Sequence, residues 1–342
     1  MVDCRTHIQC RKKVNFKYTE KQLLESLSIE KGVFNKDRLT LFSIVKDEIY
    51  FLAPFLDHYR SIGIEQFIFL DDRSQDGTRE YIANQDDCVL LKSSATFGDP
   101  TIVNRVGIFP RIIRAGTAYK KLIPQAFLSK EYSLYADADE FLILPPQVEN
   151  LRKLKELATQ RMSRCYAASL VEFFPANIST LYEPFAPSKA KDLIQKFCFF
   201  EAKPLLKPRR LRQPKKIGNS KSQELFSQFF PFENTMNSPT LKTPFSYQNR
   251  LIYRRGSHKT SFPPDHAILL CMIHFVFTNN LPIKINRALK WKSYNNNSQK
   301  YINYQKLLQK LPFHDFELTT SKSQKFNSSD QFLESQLMRY LT

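Results

Sequence analysis

The sequence predicts an α/β fold: a mixed, mainly parallel central sheet flanked by helices, with a helical C-terminal tail. Three observations predict it. Short apolar, partly β-branched runs of strand length alternate with segments whose apolar residues recur at helical spacing, the pattern of strands joined by covering helices. Several of these runs stop abruptly at acidic residues: Lys46-Asp47-Glu48, Asp71-Asp72 and Asp137-Ala138-Asp139-Glu140. The 342 residues are 42% hydrophobic and 25% charged, the balance of a globular chain long enough for one large domain with appendages.

The elements follow in order. Residues 1–36 are polar and charged and read as a leading arm, with a helix candidate over Glu20–Ile29. LTLFSIV, from Leu39, has the profile of a buried parallel strand. IYFLAPFLDHYRSIG is amphipathic and stops at Gly63, a C-cap residue. EQFIFLDD is a second strand, a helix is expected from Thr78 to Asn84, and CVLLKS is a third strand. A helical stretch over Ile102–Leu128 leads to a fourth, YSLYADADEFLIL; Leu151–Arg161 reads as a helix and CYAASLVEFFP as a strand closing on Glu172. From 196 to 249 the pattern dissolves into Pro-rich, basic and Ser/Asn/Thr-rich sequence, expected to be an irregular insertion. RLIYRRGSHKT and HAILLCMIHFVF read as two more strands, and the tail from Ile283 as mostly helical. The expected division is an arm over 1–36, a main domain over 37–280 with halves at 37–150 and 151–280, and a helical extension over 281–342.

Composition narrows the function. With only 8 glycines among 29 phenylalanines, the chain has few positions free for positive φ, which argues against glycine-rich phosphate loops. A formal net charge of +18 favours polyanions: nucleic acid, an anionic bilayer surface or a phosphorylated ligand. The six cysteines, Cys4, Cys10, Cys88, Cys165, Cys198 and Cys271, are scattered without a C-x-x-C pair and read as reduced thiols in a cytosolic protein. No apolar window reaches the roughly 18 residues of a spanning helix. The expected location is therefore cytoplasmic, with room for a peripheral role on the inner face of a membrane.

The chemistry concentrates at acidic strand ends. Like charges stacked at the end of an apolar run repel unless a cation neutralises them, so Asp137-Ala138-Asp139-Glu140 points to Mg2+ or Mn2+, which take oxygen ligands and leave positions for phosphate. A solvated acidic turn is the plainer alternative. Asp71-Asp72-Arg73-Ser74-Gln75-Asp76-Gly77-Thr78 offers carboxylates to a ribose or base edge around a tight turn at Gly77, or is an ordinary strand-to-helix turn.

Together the two acidic motifs resemble the family 2 glycosyltransferases and their relatives of the GT-A fold, a Rossmann-like architecture. FSIVKDEIYFLAPFLDHYRSIGIEQFIFLDDRSQDGT looks like the donor half, and YADADEFLIL like the D-x-D metal site. EFFPANI, RRGSHKT, LLCMIHFVF and LESQLMRYL resemble a bacterial branch, so the similarity runs over most of the chain from Leu39. The resemblance implies a nucleotide-sugar donor, a UDP-sugar, bound by residues 37–150 with Mn2+ or Mg2+, and a glycan or lipid-linked acceptor of the cell envelope, such as lipopolysaccharide or capsule, bound by 151–280. It places Asp47 and Glu48 near the base, Asp71 and Asp72 at base and ribose, Asp137 at ribose and metal, and Asp139 on the metal. It assigns His274 to the metal or diphosphate; a hydrogen-bonded structural histidine is the alternative. His258 and Lys259 lie near the diphosphate, or in a surface loop. An inverting reaction needs a carboxylate base, for which Glu172 is the candidate and Asp265 the fallback, since the Glu-Asp pair of better-known members is missing from the matching stretch.

The basic segment Lys203–Lys216 is either a solvated loop or a clamp for a phosphorylated acceptor or anionic lipid. Two other function classes compete with glycosyl transfer. A nucleotidyltransferase would want a basic or glycine-rich loop after the first strand, where Lys46-Asp47-Glu48 is acidic. A nucleic-acid-binding protein would want an aromatic and basic surface motif, which the sequence lacks, so nucleic acid is not an expected partner.

Overall fold

The computed structural model describes residues 16–103, 110–234, 236–249, 251–291, 295–311 and 316–341. Cys4, Cys10, the rest of residues 1–15 and residues 104–109 of the predicted 102–128 helix lie outside them.

Ten strands form one sheet: β1 (Ser28–Lys31), β2 (Thr40–Val45), β3 (Gln66–Asp71), β4 (Cys88–Lys92), β5 (Tyr132–Tyr135), β6 (Glu140–Ile143), β7 (Cys165–Glu172), β8 (Leu241–Tyr247), β9 (Ile268–His274) and β10 (Arg339–Tyr340). Their order is β10-β9-β7-β8-β5-β2-β3-β4-β1, with β6 also paired to β9. Neighbours are parallel in β2–β3, β3–β4, β2–β5 and β7–β9. Because β8 is antiparallel to both β5 and β7, strands β2, β3, β4, β5, β7 and β9 all point one way. Their carboxyl ends share one edge of the sheet, the edge where open α/β sheets hold ligands.

Strands buried on both faces explain why these runs read as almost uninterrupted apolar sequence. Side chains alternate between faces. Leu41, Val45, Phe67 and Phe69 enter one core, with Phe55 and Tyr59 of helix α1 (Ile49–Ser61). Phe42, Ile68 and Leu70 enter the other, with Tyr119 and Leu122 of helix α2 (Ala115–Phe127). Helix α3 (Leu151–Gln160) buries Leu151, Leu154 and Ala158 on the first face. Gly63 and Gly77 both take positive φ, +99° and +94°, as their helix-boundary positions demand.

Several expectations change. YSLYADADEFLIL is not one strand: it breaks at Asp137-Ala138-Asp139, so that β5 pairs with β2 while β6 turns back antiparallel along β9. The predicted helix over 102–128 starts only at Ala115, after a hairpin of Pro100–Val103 and Arg111–Arg114. The candidate helix Glu20–Ile29 ends at Ser26, and Ser28–Lys31 becomes edge strand β1. The described residues of the expected irregular insertion 196–249 include helix α4 (Lys221–Phe229) and the interior strand β8. RLIYRRGSHKT forms no regular strand; its pairing is an isolated bridge between Arg254 and Thr260. The tail does form helices, α5 (Leu281–Trp291) and α6 (Asn295–Lys310), but also supplies β10 to the main sheet. The four described cysteines are free and buried. No described helix is long and apolar enough to cross a membrane.

A proline inside β8 explains why that strand was missed, since proline is confined to edges and bulges. Here the register between β7 and β8 shifts beside Pro244. The buried guanidinium of Arg254 then donates to the carbonyl oxygens of Thr243 and Pro244, replacing the ladder partners that the shift removes.

His58 clips α1 to β6: its Nε2 lies 2.8 Å from the Leu142 carbonyl oxygen, and its ring stacks on Phe141 at 4.9 Å. Burial lowers its pKa from 6.5 to about 4. The unfolded chain therefore takes up this proton first, so the contribution is complete above pH 6.5 and is lost as pH falls toward 4. Thermal melts from pH 7 to 4 should show Tm falling more steeply for the wild type than for His58→Gln; parallel slopes would disprove the assignment.

Candidate active site

At the carboxyl edge lies a crevice of about 1620 Å³. The ends of β2, β3 and β5 supply Lys46, Glu48, Asp72, Asp137 and Asp139 to its wall. β6 and β9 supply Glu140 and His274, facing each other in register. Helices α5 and α6 close the opposite side with Lys284 and Lys300. Asp72 and Asp139, from two separate acidic motifs, thus share one cavity.

Three lysines organise the acids. Lys242 of β8 reaches Asp137 Oδ2 at 2.5 Å and Glu140 Oε1 at 2.7 Å. Lys120 of α2 lies 3.4 Å from Asp137 Oδ1 and donates to Ser257 Oγ at 2.5 Å. Lys284 of α5 bridges Asp139 Oδ2 at 2.8 Å and Glu48 Oε1 at 3.0 Å. Burial opposes ionisation of Asp137, but the Lys120 and Lys242 ammoniums, with the Tyr135 hydroxyl, outweigh it and hold the carboxyl well below its usual range. For Asp139 burial is likewise overcome by Lys284 and His274. Glu140 and Glu48 go the other way: burial raises both, and the nearby aspartates add to it. One site therefore mixes carboxylates fixed as anions with carboxylates that resist ionisation.

Asp139, Glu140 and His274 each present a ligand atom within 4.8 Å of the others. His274 Nε2 is 3.7 Å from Asp139 Oδ2, and its buried Nδ1 has no hydrogen-bond partner among the described residues. The carboxylate that joins Asp139 and His274 is thus Glu140, where the sequence pointed to Asp137.

The other predicted residues divide. Asp72 lines the crevice, accepting from Phe97 N at 3.1 Å with Lys46 Nζ 3.6 Å away, while its buried Oδ1 has no partner among the described residues. Burial raises its pKa against the pull of Lys46. Asp47 and Asp71 do not line the crevice; they stitch loops. Asp47, at φ +51°, accepts from Gln75 N at 2.6 Å. Asp71 accepts from the Ser74 hydroxyl and from Ser74 N at 3.1 Å. His258 lines the crevice, bonded to the Leu241 carbonyl oxygen at 2.7 Å; burial, with Lys242 and Lys120 nearby, lowers its pKa to about 3 and keeps it neutral. Lys259 is exposed and outside the wall.

Neither base candidate faces the cavity. Glu172 ends β7 beside His274, but its Oε2 accepts from Ser222 N at 2.6 Å, and its Oε1 from the hydroxyls of Ser222 and Ser238 at 2.7 and 2.9 Å. It therefore caps the amino end of α4, where helix amides and dipole favour an anion. Asp265 is at the wrong end of the sheet: its backbone N donates to Cys165 O at the start of β7, and its carboxylate binds Ser163, Ala267 N and Arg161. A strand of this length puts it about 20 Å from the carboxyl edge.

Sequence reading missed Lys120, Lys242, Lys284 and Lys300. Only Lys242 left a trace, a lone charge within the β-forming run LKTPFSY. Nothing distinguishes Lys284 or Lys300 from the other cations of a polar helical tail.

No protein-family model matches this sequence, and no curated protein matches it. Among solved structures, UDP-glucose pyrophosphorylase complexed with UDP-glucose aligns over 87% of this chain and 97% of its own, with 9% identity and a TM-score of 0.27. A likeness that low carries nothing about the site.

The Glu172 contacts make a stability prediction. Replacing Glu172 by Gln turns one acceptor toward donors, and an unsatisfied buried polar group costs about 1–3 kcal/mol. Glu172→Gln should therefore lower Tm measurably; an unchanged Tm would remove the capping role.

Proposed function

We propose that this chain is a metal-dependent glycosyltransferase that moves a sugar from a nucleotide-sugar, a UDP-sugar on the sequence resemblance, to a glycan acceptor. The observation that supports it is the shared crevice: Asp72 from one strand end faces the same cavity as Asp137, Asp139, Glu140 and His274. In this reading the unpartnered Oδ1 of Asp72 accepts from the nucleoside, and the diphosphate lies toward Lys120 and Lys242.

Asp139, Glu140 and His274 would hold the ion; two carboxylates and an imidazole suit Mn2+ better than Mg2+. Bound there, it would supply positive charge against the negative charge that builds on the leaving diphosphate. Glu48, Asp137, Asp139 and Glu140 face the ammoniums of Lys120, Lys242 and Lys284. In this reading Lys242, whose Asp137 and Glu140 partners outweigh burial and raise its pKa, and Lys120, whose pKa burial lowers, lie beside the leaving group and orient it. Glu172 and Asp265, with their oxygens engaged elsewhere, are not proposed as the base.

Nucleotidyl transfer is the competing reading, because the same lysines suit a pyrophosphate. The products separate the two: a nucleoside diphosphate is released in glycosyl transfer, whereas nucleotidyl transfer makes pyrophosphate from a nucleoside triphosphate.

Calorimetric titration with UDP-, GDP- and CMP-sugars should show one class binding at least about tenfold tighter with Mn2+ than with EDTA. Asp139→Ala should abolish that gain and cut turnover by about 100-fold or more while leaving Tm within a few degrees. Metal-independent binding, or an Asp139→Ala enzyme with full turnover, would overturn the assignment.

A further inference from the structure

Six of the 51 basic residues of this chain sit together on one short element, and none of them lines the crevice. Leu206–Lys207 and Lys215–Lys216 pair as an antiparallel hairpin whose loop is bracketed by Pro208 and Pro214. Lys207, Arg209, Arg210, Arg212, Lys215 and Lys216 are all exposed, and no acidic residue occurs between Lys203 and Gln223. The hairpin thus carries +6 of the formal +18. None of the six forms an ion pair with a carboxylate among the described residues; the acids nearby, Glu201 and Glu224, are engaged by Lys221 and Lys203.

The base of the hairpin is anchored to the main core. Leu205 and Leu206 are buried in the main core, and Ile217 N donates to Leu205 O at 2.9 Å. A Cβ at Gly218 would come within 2.5 Å of Pro204 O, so only glycine allows the two limbs to close. Arg209 Nε donates to Gln213 O at 3.0 Å across the loop. At its summit Leu211 sits at φ +55° and is 78% exposed, and Ile217 on the return limb is 50% exposed. An exposed apolar side chain flanked in sequence by arginines fits a surface that is negatively charged outside and apolar within.

We propose that this hairpin docks the protein onto an anionic lipid bilayer, its six cations against the headgroups and Leu211 dipping into the acyl boundary. The charges are attracted to acidic headgroups, and the buried apolar side chain adds to their hold. Nucleic acid would meet the same charges, but single strands are held by aromatic stacking, and no aromatic residue lies between Glu201 and Leu225. None of the six cations lines the crevice, so docking leaves it open and stands whether or not the chain transfers sugar.

The test is cosedimentation of the full chain with vesicles of equal parts phosphatidylglycerol and phosphatidylcholine, beside pure phosphatidylcholine, at low salt. The wild type should bind only the anionic vesicles and be released at about 1 M salt, where the Debye length is about 3 Å. The triple variant Arg209→Glu, Arg210→Glu, Arg212→Glu should lose at least about tenfold in partitioning. Leu211→Asn, which tolerates the left-handed conformation and keeps the charge, should lose about threefold. Lys153→Glu, on an exposed face of α3, should bind as the wild type does. If the triple variant melts below the wild type, Leu211→Asn carries the test alone. Wild-type protein that ignores anionic vesicles, that binds pure phosphatidylcholine equally, or that binds them undiminished in the hairpin variants overturns the proposal. So does duplex or single-stranded DNA that binds at salt concentrations where the vesicles do not.

Discussion

Everything at the carboxyl edge depends on one electrostatic constraint: four carboxylates crowd together inside a folded protein, and burying like charges is unfavourable unless counter-charges accompany them. The chain meets it with lysines drawn from three distant elements, Lys120 on α2, Lys242 on β8 and Lys284 on α5. β8 runs antiparallel between β5 and β7 and so puts Lys242 between Asp137 and Glu140, and the tail folds back over the edge to bring Lys284 to Asp139.

Much of the fold could be read in advance because its central strands are buried on both faces, leaving short, strongly apolar runs with sharp ends. β2, β3, β4 and β7 fall where the sequence places them, within a residue or two. The acidic strand ends were legible for a related reason: a carboxylate directly after an apolar run has little purpose in packing. What the pattern hid was the break within YADADEFLIL. Period-2 alternation is the same whether a chain continues along one neighbour or switches to another, so β5 and β6 looked like a single strand.

The rest was hidden by physics that leaves no local mark. β8 carries a proline that argues against an interior strand; a register shift and the distant Arg254 accommodate it. Glu172 looked like a base because it ends a strand at the right edge; its engagement by α4 depends on Ser222 and Ser238, which lie in sequence that looked irregular. Asp265, the fallback base, is held at the amino end of β7, a placement that nothing in its local sequence marks.

The position of Lys284 also bears on how the molecule is made. On a ribosome, β2 to β7 emerge well before α5, so Asp139 and Glu48 are exposed to solvent and to one another for as long as their bridging ammonium remains to be synthesised. Until then Lys120 and Lys242 are present for Asp137 and Glu140, and Asp139 and Glu48 alone lack their ammonium. The pairing of Asp139 and Glu48 with Lys284 is therefore a late event in biogenesis, since it waits on the emergence of α5.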